Sequence, residues 1–210
     1  MDDAPSIRFP RTVTVDDRRV CIRPVTPDDR DRILEGLRSI SVDTSYRRFF
    51  TPRFYPSEAE LRYLTQIDGD RHMALGAVDC SAKGEPGVGA ARYVRLPEAP
   101  TVAEAAVLVI DAYQRDGIGS LLLAALSQYA AGQGVEWFRG FVLADNRDFL
   151  AYLEALGACH KETHDGVLQL DVPVYPRGAQ LPDTPALARA RWAWGTIDDA
   201  GVADCDGPVD

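Results

Sequence analysis

Glu104 stands at the head of an apolar run, Ala105-Ala106-Val107-Leu108-Val109-Ile110, which leads into Asp111-Ala112-Tyr113-Gln114-Arg115-Asp116-Gly117-Ile118-Gly119-Ser120. A carboxylate placed there can take a proton from an approaching nucleophile if the two come within hydrogen-bond reach. The residues after it suit different chemistry. A strand that stops at a glycine-containing turn and feeds a helix aims several unpaired backbone N–H groups at one point, and the helix dipole adds positive potential there. Gly117 and Gly119 remove side chains where phosphate oxygens must approach, so the amides of residues 115–120 suit a diphosphate. Arg115 can add a charged contact, or it can simply stand in solvent. Other readings of the glycines fare worse. A dinucleotide fingerprint would need its third glycine at Leu122, no lysine follows as in a P-loop, and an ordinary strand–helix turn leaves the pattern idle.

The surrounding elements have to hold this segment in place. Arg18 to Val25 reads as a strand, followed by a helix opened by Thr26-Pro27-Asp28-Asp29, with Thr as cap, Pro in the first turn and acids at the positive end. Ile33, Leu34 and Leu37 supply that helix with an apolar stripe. Ser57-Glu58-Ala59-Glu60 has the capping-box pattern and predicts a second helix to about Gln66. His72–Asp79 and Val88–Leu96 read as strands joined by the turn-rich 81–87 segment. Ala103–Ile110 reads as a strand buried on both faces. Ile118, Leu121, Leu122, Ala125, Leu126 and Tyr129 recur at helical spacing and predict a long helix from Gly117 to about Gln133. Trp137–Leu143 is a further strand, and Asp145 or Asn146 caps a helix that stops at Gly157. Residues 160–170 read as a hairpin around Asp165-Gly166.

The order β-α-α-β-β-β-α-β-α-β-β, with Gln114-x-x-Gly117-x-Gly119 between the fourth strand and the third helix, resembles the GNAT acetyltransferase superfamily. Its R/Q-x-x-G-x-G/A signature is matched at every specified position. The resemblance covers roughly residues 18–173. It implies an α/β fold: a single domain over 18–175 whose mixed, mostly antiparallel sheet of about seven strands is flanked by about four helices. It also implies acetyl-CoA as cosubstrate, held by Gln114, Arg115, Asp116, Gly117, Ile118, Gly119 and Ser120. The strand backbone at Leu108 and Val109 would pair with the pantetheine arm, and one N–H there would hold the thioester carbonyl and then the oxyanion. Asn146 matches a position that often contacts the cofactor, although helix capping explains it nearly as well. Where many members carry a tyrosine that protonates the leaving thiolate, this chain has Leu153, with Tyr152 one place earlier and about 100° around the helix.

Ile22-Arg23-Pro24-Val25-Thr26-Pro27-Asp28-Asp29, Ser41–Phe50, Ala103–Val107 and Val142–Arg147 look more narrowly like the catalytic domain of bacterial protein lysine acetyltransferases. That resemblance makes Glu104 the general base and a protein lysine, possibly of an acyl-CoA synthetase, the acceptor. A lysine amine with a pKa of about 10.4 is almost wholly protonated at neutral pH. A carboxylate can take its proton, directly or through water, if burial raises the carboxylate's own pKa. The alternative is that Glu104 merely caps the strand at the surface. Tyr46-Arg47-Arg48-Phe49-Phe50 would form one wall of the acceptor groove, or the rings would anchor the core with the arginines solvated. Two other functional readings stay open. One is transfer to a small amine or a protein N-terminus; the other is an acyl-CoA-sensing module without turnover.

Composition bounds the rest. Across the 210 residues the net charge is −9, all of it from the second half, since residues 1–100 balance 16 basic against 16 acidic side chains. Neither nucleic acid nor an anionic membrane is an expected partner. No window of about 18 apolar residues predicts a membrane span. Cys21, Cys80, Cys159 and Cys205 show no metal spacing, so no metal site and no disulfide framework are expected, and a cytoplasmic setting follows as the default. Residues 1–17 read as an N-terminal extension. Residues 176–210 read as a C-terminal one, with a short helix at 186–194 and an acidic end expected to be disordered. Neither leaves room for the cyclic-nucleotide or synthetase-like domain that relatives often carry, so regulation by such a domain in cis is not expected. The oligomeric state is open.

Overall fold

Val13 and Val15 alternate with Thr12 and Thr14, and Asp16 and Asp17 both take positive φ, 45° and 65°. That pair makes a tight hairpin turn, so the chain opens with two antiparallel strands, β1 (Arg11–Val15) and β2 (Arg18–Pro24). The computed structural model describes residues 7–202. After β2 a short 3₁₀ turn at Pro27–Asp29 leads into α1 (Arg30–Ser39). There Asp29 is buried, accepts from both Arg23 nitrogens at 2.7 and 2.6 Å and from the Thr26 N–H at 2.9 Å. Burial alone would raise its pKa, but Arg23 and the Thr26 amide outweigh that and hold it below the usual carboxylate range. α2 (Val42–Phe49) is capped by Ser41, and α3 (Glu58–Thr65) starts with the expected capping box, Ser57 N–H to Glu60 at 2.7 Å.

The remaining elements are β3 (His72–Asp79), β4 (Gly87–Leu96), β5 (Ala99–Val109), α4 (Ile118–Gly132), β6 (Trp137–Leu143), α5 (Arg147–Ala155), β7 (Cys159–His164), β8 (Val167–Pro173) and α6 (Ala188–Asp199). They build one eight-stranded sheet in the order β1-β2-β3-β4-β5-β6-β8-β7. Every neighbouring pair is antiparallel except β5 and β6. The expected α/β class with a mixed, mostly antiparallel sheet holds, with one strand more than the sequence reading and with six helices instead of four. The additions among the described residues are β1 and α2, while α6 is a longer form of the short helix expected at 186–194. Among the described residues no helix is long and apolar enough to cross a membrane, and no cluster of three potential metal ligands occurs.

The core lies between the sheet and α4. Leu121, Leu122 and Leu126 are fully buried, each contributing about 1.5–3 kcal/mol relative to exposure. α6 covers the far side of α4. Its Ala190, Ala193, Trp194 and Ile197 are buried, and Asp198 accepts from Gln128 of α4 at 2.8 Å. Arg11 of β1 donates to the Ile197 and Ala200 carbonyls at the end of α6. Segments that the sequence reading set aside as two separate extensions therefore meet over the same helix. One cysteine also departs from the reading. Cys21 is disulfide-bonded, while Cys80 and Cys159 are free thiols; spacing along the chain does not reveal which thiols a fold brings together.

Candidate active site

From Ala103 to Val109, β5 is paired at every position on one side and only at its start on the other. Toward β4 the register runs unbroken from Ala103↔Arg95 to Val109↔Gly89. Toward β6 it lasts three positions, ending at Glu104↔Arg139. Beyond Glu104 the two strands part, because β6 turns to follow β8. The Thr101 carbonyl accepts from the Glu136 N–H, and the Ile110 N–H donates to the Val88 carbonyl. Strand alternation between these two points turns the main chain of residues 105, 107 and 109 toward the gap and that of 106 and 108 toward β4. Of the two backbone positions expected to meet a ligand, Val109 faces the gap and Leu108 does not. Val107, two residues back, is the position the sequence reading missed, and simple alternation would have found it.

The gap runs into the glycine turn. Gln114 donates to the Val109 carbonyl at 3.0 Å and to Thr44 Oγ1 at 3.1 Å, tying the turn to β5 and α2. Asp111 secures the same corner by accepting from Ser41 and Thr44. Asp116 pairs with Arg18 at 2.7 Å, which removes a bare negative charge from the turn. Ile118 is core, and Arg115 is exposed with φ 71°. The side chains of Gln114, Asp116 and Ile118 are thus occupied by structure. What remains for a ligand is backbone: the first main-chain bond from within α4 back to the turn is Leu121 N–H to Gly117 O, so the amides of Ile118, Gly119 and Ser120 precede it without an intrahelical acceptor.

Glu104 lies where the gap meets a second groove. Its side chain alternates with Ala103 and Ala105 and shares the α1–α3 face of the sheet with Ala106 and Leu108. That groove is lined by Arg48, Phe49, Phe54, Tyr63, Leu64, Arg92 and Glu104 and has a volume of about 270 Å³. Glu104 is exposed, which corrects the expectation of a buried carboxylate: the sheet opens at this residue, and only the small side chains of Ala105 and Ala106 follow it. Phe49 stacks on Phe54 at 4.3 Å, whereas Phe50 is exposed. The arginines do not share a role, since Arg47 binds Asp43 and Asn146 while Arg48 lines the groove.

Residues 19–158 match the family model described as an acetyltransferase (GNAT) domain. The chain belongs to the GNAT acetyltransferase family. Acetyltransferase Pat of Mycolicibacterium smegmatis is 39% identical over 155 residues, covering 74% of this chain and 46% of the relative. The chain therefore spans about half the length of that protein. Acetyltransferase PA5475 of Pseudomonas aeruginosa is 30% identical over 74% of this chain and 83% of its own length. Among solved structures, the GNAT domain of S. lividans PAT is similar with a TM-score of 0.68 at 28% identity, covering 78% of this chain and 96% of that one. A cAMP-binding acyltransferase from Mycobacterium smegmatis superposes with a TM-score of 0.56 at 31% identity, over 90% of this chain and 54% of that one.

In this GNAT domain the two signature glycines serve different ends. A Cβ on Gly117 would meet the Trp192 ring at 2.6 Å and Arg189 at 2.8 Å, and the residue has φ 97°. Gly117 is thus required by backbone conformation and by the close approach of α6. A Cβ on Gly119 would touch Val109 at 3.5 Å, an ordinary contact, so no protein neighbour demands that glycine. Gly117→Ala is expected to destabilise the protein by about 1–3 kcal/mol through backbone strain, with displacement of Trp192 in addition. Thermal melting checks this; an unchanged Tm would show that the turn and α6 relax freely.

The α5 side contributes two further groups. Asn146 precedes α5 without capping it by its side chain, because its carbonyl accepts from Arg47 at 2.8 Å. It therefore fastens α2 to the start of α5 near the gap. Leu153 is buried and supplies no acid. Tyr152 is different: its hydroxyl is buried, points toward Ser120 of the turn, and makes no hydrogen bond of ordinary geometry. Burial raises its pKa, and the nearby Ser120 hydroxyl offsets part of that. A buried hydroxyl left unpaired is costly, so a polar ligand atom entering beside Ser120 would gain a donor there. The splayed strand edge, the free helix amides and this orphaned hydroxyl together fit a long, polar-ended thioester carrier.

Proposed function

We propose that this chain is an acetyl-CoA-dependent N-acetyltransferase that modifies a lysine side chain of a protein by direct attack in a ternary complex. The observation that carries the proposal is the position of Glu104, the last residue of β5 paired to β6, with the gap on one side of it and the arginine-lined groove on the other. The carrier's diphosphate lies against the α4 amides of Ile118, Gly119 and Ser120. Its pantetheine arm runs along the free edge of β5 at Val107 and Val109, as an added strand would. Of those edge amides, one N–H polarises the thioester carbonyl and stabilises the oxyanion. The lysine amine gives up a proton to Glu104, directly or through one water, and its nitrogen attacks the carbonyl carbon. A C–N bond forms, the C–S bond breaks, and the thiolate leaves with the bonding pair and takes up the second proton that the attacking nitrogen sheds, through solvent, on becoming an amide. A thiolate is a tolerable leaving group near neutral pH, so no dedicated acid is required.

The choice of a protein lysine rests on the likeness of Ile22–Asp29, Ser41–Phe50 and Ala103–Val107 to bacterial protein lysine acetyltransferases, and on the identity to Pat. An acyl-CoA synthetase is the acceptor to try first. The test incubates the purified chain and acetyl-CoA with intact synthetases, with their lysine peptides and with small primary amines, following thiol release. Thiol release with protein or lysine peptide and none with small amines is the expected outcome. The reverse pattern would move the acceptor class, and binding of acetyl-CoA without any release would make the domain a sensor.

A further inference from the structure

Two guanidinium groups line the groove with Glu104, and the transfer chemistry gives neither of them a role. Arg92 projects from β4, where it pairs with Ala106, and Glu104 is two residues along from Ala106 on the same face. Arg48 comes from the last turn of α2. Both side chains line the acceptor groove and also the apolar cavity beneath α1. Arg48 alone of the two also lines the pocket at the β5–β6 gap, together with Glu104, Ala105 and Val107. It therefore stands where the thioester slot and the acceptor groove join.

The polar partners of the pair are few. Arg92 donates to the Leu64 carbonyl at 2.8 Å and lies over the Tyr63 ring, and Arg48 lies over Phe49. Neither guanidinium joins a salt bridge within 4 Å among the described residues. Glu104 is the carboxylate whose charge reaches Arg48. Glu60, the other acid lining the groove, has its carboxylate on the Ser57 N–H and hydroxyl at 2.7 and 2.6 Å. Burial, together with the neighbouring charge of Arg48, brings Arg92 down to about 10, the mark of two like charges held close in a partly desolvated wall. Such a pair is costly until an anion bridges it, and a guanidinium fork matches the two oxygens of a carboxylate with parallel hydrogen bonds.

We infer that Arg48 and Arg92 form a carboxylate-binding site that selects a reacting partner bearing a second acid close to the reacting atoms. This rests on the acyl-transfer reading above. The carboxylate can come from an Asp or Glu side chain beside the acceptor lysine, or from the far end of a dicarboxylic acyl thioester. The chemistry is the same from either source, and the test has one arm for each.

In the first arm, acetyl-CoA is paired with a lysine peptide flanked by Glu and with the same peptide flanked by Gln. In the second, the Gln peptide is paired with succinyl-CoA and with butyryl-CoA, which has the same chain length without the acid. The wild-type chain is expected to favour the acid-bearing member of one arm by roughly tenfold or more in kcat/KM, the scale of one charged hydrogen bond. The arm that shows it names the source. Arg48→Gln and Arg92→Gln are each expected to bring that ratio close to one, and Arg92→Lys to retain part of it. Because each ratio is taken within one variant, partial loss of folded protein cancels. The wild-type panel alone decides if a variant fails to fold. Ratios near one in both arms, or a ratio that survives both Gln substitutions, would overturn the inference while leaving acyl transfer intact. No turnover with any pair would end both readings together.

Discussion

Glu104→Gln is expected to lower kcat by about 10²–10⁴-fold, the usual worth of a positioned general base, and to leave acetyl-CoA affinity within about twofold of the parent. The two effects separate because Glu104 sits at the end of the paired stretch of β5, whereas the amides assigned to the carrier lie at Val107, Val109 and the first turn of α4. Glutamine preserves the shape and one hydrogen-bond acceptor but cannot accept the ammonium proton. The variant must therefore wait for the ammonium to lose its proton to solvent, and its rate should keep rising with pH toward the lysine value of about 10.4. In the parent the carboxylate takes that proton, so its rate should depend less steeply on pH over the same range. Steady-state rates from pH 6 to 10, with calorimetric titration of acetyl-CoA, test both halves. Full turnover across that range would remove Glu104 from the chemistry. A parallel loss of carrier affinity would instead make it a structural residue of the strand.

The elements that carry this argument were legible because their signals are local. Ile118, Leu121, Leu122, Ala125 and Leu126 repeat at helical spacing, and the helix forms with all five buried. Ser57 and Glu60 write their own cap, and Asp165 and Gly166 make the expected turn, both at positive φ. What escaped depends on contacts far along the chain. The resemblance puts Arg48 in a wall of the acceptor groove, but nothing near it announces that its side chain will meet Arg92 there, since the two come from α2 and β4. The opening of β5 from β6 is equally silent, because it reflects where β6 finds β8. Gly117, which the signature assigns to phosphate, is also required by Trp192, 75 residues later. β1 had a usable signal in its valine–threonine alternation, which the tight Asp16-Asp17 turn obscured by lacking the usual glycine.

The strongest consequence of these distant contacts concerns α6. Trp194→Ala is expected to destabilise the protein by about 3–5 kcal/mol, lowering Tm by roughly 10 °C for a chain of this size. Trp194 is 2% exposed, and its indole N–H donates to the Tyr175 carbonyl at 3.0 Å. That segment is held from two further directions. The Tyr175 N–H donates to Ser127 of α4 at 2.8 Å, and the Tyr175 hydroxyl donates to the Leu156 carbonyl after α5 at 2.9 Å. Removing the ring leaves a cavity bordered by α4 and the chain after β8, and the Tyr175 carbonyl keeps only the Ser127 hydroxyl, at 3.1 Å, as donor. A loosely attached tail would behave otherwise: the same substitution would move Tm by a degree or less, and cutting the chain after residue 175 would be harmless. Because Trp192 on the same helix abuts Gly117, loss of α6 packing should also weaken acetyl-CoA binding. The expected signature is thus a lowered Tm accompanied by a raised Kd. Trp194→Phe, which keeps most of the apolar volume and loses the N–H, should recover the greater part of both. A Kd that stays at the parent value in a destabilised Trp194→Ala protein would show that the turn holds its shape without the helix behind it.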